Sequence, residues 1–167
     1  MPVDHRASYL SGMLHCSAPL SADQHEAVVA SKRLIYDGFL EALGRGMSRS
    51  SGGILVDEEF GAAILRDATA AEILTAVSVE KSGSDEFEFE FGDAFAAHIA
   101  TFTPTFAKVL VRYNPEGDSA LNQRQKGRLT KLSRHCQGVH QRLMFELLVP
   151  ATSERLPVVK GNKTSFA

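Results

Sequence analysis

At 167 residues, with 44% hydrophobic and 23% charged side chains, the chain has the composition of one globular domain able to bury a respectable core. Its formal charge of -2, with both signs interleaved, leaves no basic stripe for nucleic acid. No apolar run approaches the roughly 18 residues that span a bilayer, and the opening MPVDHRASYL lacks the basic and apolar regions of a secretory signal, so a cytoplasmic protein with no nucleic-acid or membrane partner is expected.

The first apolar run, MPVDHR at 1–6, reads as a short strand that ends in charge. Ser21 and Gln24 then form a capping box, and Val28, Ile35, Phe39 and Leu43 recur at helical spacing until Gly44 and Gly46, which predicts a helix over 22–45. GILVDEEFG at 53–61 holds a short buried strand from Ile54 to Val56, followed by a short helix from Phe60 to Ala68. TAVSVEKSG at 75–83 carries the next strand, from Thr75 to Glu80. Glu86 to Phe91 alternates Glu with Phe like a strand, but its place between a glycine-bearing turn and a helix over 93–102 also suits a loop that lays aromatic rings over a barrel mouth. AKVLVRYNPEG at 107–117 supplies a strand from Ala107 to Tyr113, then a helix runs from about Ser119 to Cys136, and RLMFELLVP at 142–150 supplies a strand from Leu143 to Val149. From Pro157 to Ala167 the chain reads as irregular.

Strand and helix alternate with short connections, which is the pattern of an α/β protein with a parallel sheet. In such proteins ligands sit at the carboxyl ends of the strands, and here nearly every strand ends in a charged residue. The two cysteines, Cys16 and Cys136, lie in no CxxC or zinc-like spacing and read as plain thiols, although His15 beside Cys16 raises a Cys/His pair as an alternative.

The two-residue period of a strand tells which side chains share a face. Lys108, Leu110 and Arg112 share one, Glu146 lies with Met144 and Leu148, Glu80 aligns with Ser78 and Ala76, and Asp57 aligns with Leu55. If these faces line one interior, Asp57, Glu80, Lys108, Arg112 and Glu146 converge. Each has a plainer reading as well. An Asp at a strand end is most often a turn or helix cap. Lys108 and Glu146 lie inside apolar strands, where an unpaired charge is costly, so they need partners: either a mute ion pair, or a site for proton transfer and anion binding. Arg112 suits a phosphate or a carboxylate.

VDHR (3–6), GILVDEEFGAAILRDA (53–68), VEKSGSDEFEFEFGDAFAAHI (79–99), FAKVLVRYNPEGDSALNQRQ (106–125) and RLMFELLVPAT (142–152) together resemble one aldolase family. It is the class I aldolase domain of the 2-deoxy-5-keto-D-gluconate 6-phosphate aldolase type, often fused to the sugar kinase of myo-inositol catabolism, and tagatose 1,6-bisphosphate aldolase is similar more distantly. The resemblance implies a (β/α)8 barrel that cleaves a phosphorylated keto sugar acid into dihydroxyacetone phosphate and malonate semialdehyde. It implies a lysine Schiff base, with no metal or other cofactor. By the same likeness Lys108, Glu146 and Asp57 belong to the catalytic set, and Asp4, Arg6, Glu80, Lys81 and Arg112 to substrate binding.

The chain also departs from that family. A full barrel takes roughly 250 residues, whereas five strands can be counted here, and the first is short. The family's Schiff-base lysine lies on the sixth strand, past the point where the resemblance fades into RLPVVKGNKTSFA, and Lys160 and Lys163 are poor substitutes. The expected organisation is the amino-terminal part of an aldolase barrel over 1–152 and a divergent tail over 153–167. Two functions follow: an aldolase in which Lys108 or Lys81 substitutes for the family lysine, or a non-catalytic partial barrel that covers its open sheet edges by self-association or by docking another subunit. A phosphosugar-binding module without chemistry is the third.

Overall fold

The computed structural model describes residues 1–152, so the tail with Lys160 and Lys163 lies outside the described residues. Five parallel strands form one open sheet in the order β1 (Pro2–Val3), β2 (Gly53–Val56), β3 (Leu74–Ser78), β4 (Phe106–Arg112) and β5 (Arg142–Leu148). The connections carry α1 (Ala7–Gly12), α2 (Ala22–Gly44), α3 (Glu58–Ala70), α4 (Phe95–Phe102) and α5 (Ser119–Gly138). A parallel pair needs a crossover, and strands added in sequence order without reversal are the winding of a (β/α)8 barrel. The described residues form an incomplete barrel of that kind, with β1 and β5 at its edges. No described helix is long and apolar enough to cross a membrane.

Local chemistry fixes the helix starts. Ser21 Oγ accepts the Gln24 N–H at 3.2 Å while Gln24 Oε1 accepts the Ser21 N–H at 2.9 Å, the capping box that the sequence predicts for α2. Asp57 caps α3 through the Phe60 N–H at 2.8 Å, and Asp118 caps α5 through the Ala120 and Leu121 N–H groups. The buried stripe of α2 is Val28, Lys32, Tyr36 and Phe39, one step from the expected one, because Lys32 occupies an apolar position and Ile35 faces outward. α3 lies close on β2 because residue 61 is glycine: a Cβ there would stand 2.0 Å from Val56 Cγ1.

Alternation along the strands separates two faces. Ile54, Val56, Val77, Ala107, Val109 and Val111 join the main core with Phe95, Ile99, Phe102 and Leu132 from the helices. Leu55, Lys108, Leu110 and Arg112 face the other way and line a cavity. The 84–91 segment is a loop, touching the sheet by a single bridge between Glu80 and Phe89. Its rings do not cover the mouth. Phe87 and Phe89 pack into the main core, Phe89 stacking on Phe95 with centroids 4.1 Å apart, because the helix layer offers them apolar partners. All seven residues of β5 are exposed, Phe145 and Leu147 among them.

Candidate active site

At the carboxyl ends of the strands opens a cavity of about 480 Å³. Lys108, the third residue of β4, is buried at its centre. Its ammonium donates to Glu80 Oε1 at 2.9 Å and to Asp4 Oδ2 at 3.0 Å, and stands 3.1 Å from Glu146 Oε2. The sheet register explains the meeting: Ser78, two residues before Glu80, pairs with Lys108, and Glu146 pairs with Leu110, one step along the same face. Three carboxylates on one ammonium leave the cluster with an excess of negative charge.

That excess governs protonation. Burial pulls the Lys108 ammonium down, but the adjoining Glu80 and Asp4 carboxylates outweigh it and hold the amine protonated well above its ordinary range. Burial likewise pushes the Glu80 carboxyl up, and the charge of Lys108 offsets this only in part. Glu146, with its side chain 48% exposed, meets solvent. Among the described residues no cluster of three or more His, Cys, Asp or Glu side chains is arranged to hold a metal ion; these carboxylates converge on an amine instead.

The other expected site residues divide. Arg6 is buried and bridges the rim, giving one N–H to the Glu80 carbonyl at 2.6 Å and another to Glu90 Oε2 at 2.6 Å. Lys81 lines the cavity, exposed, beside Ser82 and Gly83, whose φ of +76° turns the loop back toward α1. Arg112 lines it too, steadied by the Ser84 carbonyl at 3.1 Å. Asp57 does not join them. β2 ends at Val56, so the strand alternation that aligned Asp57 with Leu55 no longer applies one residue later. The Asp57 carboxylate turns back to cap α3 and to pair with Lys32; both side chains are fully enclosed, with the Lys32 ammonium 5.9 Å from the Tyr9 ring centroid and 5.2 Å from that of Phe60. The plainer reading of Asp57 as a cap is the correct one.

Several supporting residues escaped the sequence reading. Gln125, fully buried on α5, accepts the Phe87 N–H and donates to the Arg112 carbonyl, each at 2.8 Å, so one side chain ties the 84–91 loop to the end of β4. Glu86 clasps Arg124 and Arg128, whose hydrogen bonds hold its carboxyl down to about 2. Glu90 orients Arg6 and accepts the Ser82 N–H at 3.2 Å. The signal available for this loop was the EFEFEF alternation itself, with Glu86, Glu88 and Glu90 all on the side of arginines. For Lys32 the signal was a charge on an apolar helix stripe. Cys16 and Cys136 are free thiols, and burial pushes the Cys136 thiol up, away from reactivity.

Nothing among curated proteins matches this chain. A family model described as "Uncharacterized protein conserved in bacteria (DUF2090)" matches residues 1–161, a span that takes in all five strands and every residue lining the cavity. The chain belongs to the DUF2090 family.

Proposed function

We propose that the cavity is an aldolase-type site for a phosphorylated keto sugar acid, cleaving 2-deoxy-5-keto-D-gluconate 6-phosphate to dihydroxyacetone phosphate and malonate semialdehyde as in myo-inositol catabolism. The observation that carries this reading is the Lys108 ammonium among Asp4, Glu80 and Glu146, at the end of a parallel sheet where barrel enzymes place their chemistry. A volume of about 480 Å³ suits a ligand of that size, and Arg112 at the wall suits its phosphate or carboxylate. The reading places the protein in the cytoplasm, where Cys16 and Cys136 remain thiols.

A Schiff base needs an amine that can lose its proton. Lys108 is held as an ammonium and serves as a fixed cation, whereas Lys81 lines the same cavity with no ion-pair partner among the described residues. Borohydride reduction with dihydroxyacetone phosphate, read by peptide mass spectrometry, is expected to leave an adduct on Lys81 and none on Lys108. An adduct on Lys108 would overturn its role as a fixed cation. Folded protein that gives neither adduct nor turnover would overturn the aldolase reading.

The exposure of β5 favours a second reading, a non-catalytic partial barrel that associates with itself or another subunit along this edge. Leu143, Phe145 and Leu147 alternate on one side of β5 and all are exposed, an apolar strand edge of the kind soluble proteins seldom leave open. Sedimentation of the pure chain is expected to show a dimer or larger species that Phe145→Lys disperses; a monomer across the micromolar range removes self-association.

A further inference from the structure

We propose that Gln125 is a positioning residue for Arg112: it fixes both the root and the tip of this arginine, so that the guanidinium meets the oxyanion end of the ligand, phosphate or carboxylate. The inference deepens the aldolase reading by naming what holds the anion-recognising group, and it rests on that reading only for the ligand being anionic.

The cations of the cavity differ in what already holds them. Lys108 is taken up by Asp4, Glu80 and Glu146, and Arg6 by Glu90 and the Glu80 carbonyl. Arg112 is half-buried at the wall and has no carboxylate partner among the described residues. Its Nη1 donates to the Ser84 carbonyl at 3.1 Å, and its other N–H groups meet no acceptor among the described residues. It therefore keeps a planar set of donors for a carboxylate or a phosphate. Arg112 is also the last residue of β4, where a long side chain has wide rotamer freedom. Freezing that freedom opposes binding unless the protein has already ordered the side chain.

Gln125 supplies that order through a closed circuit. Its Nε2 donates to the Arg112 carbonyl at 2.8 Å, which fixes the root of the side chain at the end of β4. Its Oε1 accepts the Phe87 N–H at 2.8 Å. From Phe87 the loop turns back to Ser84, whose hydroxyl donates to the Glu86 carbonyl at 2.7 Å and whose own carbonyl receives the Arg112 guanidinium. The circuit accounts for the residue type. A backbone N–H only donates and a carbonyl only accepts, so the bridge must accept at one atom and donate at another, as a glutamine amide does. Gln125 is fully buried, so losing the amide leaves two backbone groups without their partner and no ready access to water. Arg124 and Arg128 also hold this loop, through Glu86 and the Phe87 carbonyl. Their bonds end in the loop, whereas Gln125 also reaches the strand that carries Arg112.

The test follows the Arg112 Nε–H by nitrogen-15 NMR in the full chain, the signal being assigned by its loss in Arg112→Lys. In the unsubstituted protein its order parameter is expected above about 0.6, below which a group counts as flexible. Inorganic phosphate and malonate are titrated separately, and at least one is expected to shift the signal: phosphate marks a phosphate end, malonate a carboxylate end, and either supports the proposal. In Gln125→Met the signal is expected to become mobile and the affinity for the shifting anion to fall about three- to tenfold, the effect of releasing one long side chain. Gln125→Glu keeps an acceptor for Phe87 but no donor for Arg112, and is expected to show the same change. A purely structural role would lower stability and leave the Arg112 signal and the anion affinity as they were. That result, a mobile Arg112 in the unsubstituted protein, or no shift with either anion overturns the proposal. The unsubstituted protein gives the last two answers even where Gln125→Met does not fold. A chain that behaves as expected here, yet forms no adduct and turns over no substrate, overturns the aldolase reading alone.

Discussion

Asp57→Ala is expected to lower stability by about 4 kcal/mol, since removing one partner of a buried ion pair costs roughly 3–5 kcal/mol and losing a helix cap roughly 1 kcal/mol, the two not fully additive. Asp57 and Lys32 are both enclosed, so the alanine variant strands an ammonium between the Tyr9 and Phe60 rings with no carboxylate to meet it. It also frees the Phe60 N–H at the start of α3. Two further variants separate these losses. Asp57→Asn keeps a side-chain oxygen for the cap and discards the charge, so it should fall within about 1 kcal/mol of alanine. Joining Asp57→Ser to Lys32→Met keeps a cap and removes both charges, and most of the stability should return, as when buried pairs are replaced by apolar groups. Urea unfolding followed by circular dichroism measures all three. A loss under about 1 kcal/mol for Asp57→Ala would mean that the pair does not anchor α2 to the sheet. The pair matters to the cavity because Tyr9 lies on α1, directly after Asp4 and Arg6.

The residues legible from sequence were those whose placement depends only on the local period of a strand. Lys108, Leu110 and Arg112 share a face because they lie within one uninterrupted seven-residue strand, and all three line the cavity. Glu146 reaches Lys108 by the same logic, through the parallel register of β4 and β5. Asp57 fails by one residue: the period is a property of the strand, and the strand stops at Val56. Where a strand ends is set by competition with the helix that follows, and an aspartate that can cap α3 decides it.

The rest depends on contacts distant in sequence. α1 has six residues and no apolar period, and its single buried side chain, Leu10, packs with Val28 and Phe60 in a small second core that exists only after α2 and α3 are in place. The 84–91 loop carries a strand's alternation for a different reason: Phe87 and Phe89 face the helix layer while Glu86 and Glu90 reach Arg124, Arg128 and Arg6. Two-sided burial in a loop and in a strand give the same sequence pattern. Gln125 reads as one more polar residue of α5, since nothing local shows that two backbone groups from elsewhere will close on it. The cavity wall is therefore built from strand residues visible in the sequence, and it is held in place by a scaffold that is mostly not.

Lys108→Met is expected to do most harm to the site. It removes the cation that bridges the Asp4, Glu80 and Glu146 carboxylates and leaves the three around an apolar tip. Breaking buried pairs in this way costs roughly 3–5 kcal/mol, and the lower end applies because the Glu146 side chain is 48% exposed and can rehydrate. The pH dependence has a definite sign. In the native protein the raised proton affinity of Lys108 contributes stability that is fully present below the ordinary lysine range and lost only as pH rises through its elevated folded value. In the variant the crowded carboxylates bind protons more tightly folded than unfolded, so its stability falls as pH rises through their folded values. The deficit against the native protein should therefore be small near pH 4 and reach about 3 kcal/mol near neutrality. Urea midpoints across that range measure it, and an equal deficit at both ends would mean that Lys108 contributes packing and not charge. On the proposed aldolase reading, ligand binding should respond in the same window: with the cation gone, the like charges of the cavity oppose an anionic ligand, and binding of dihydroxyacetone phosphate by calorimetry should weaken by at least about tenfold, the equivalent of 1.4 kcal/mol. Lys108→Arg restores the charge but places a planar fork where three oxygens converge on a point, so it should recover the stability at neutral pH more fully than it recovers binding.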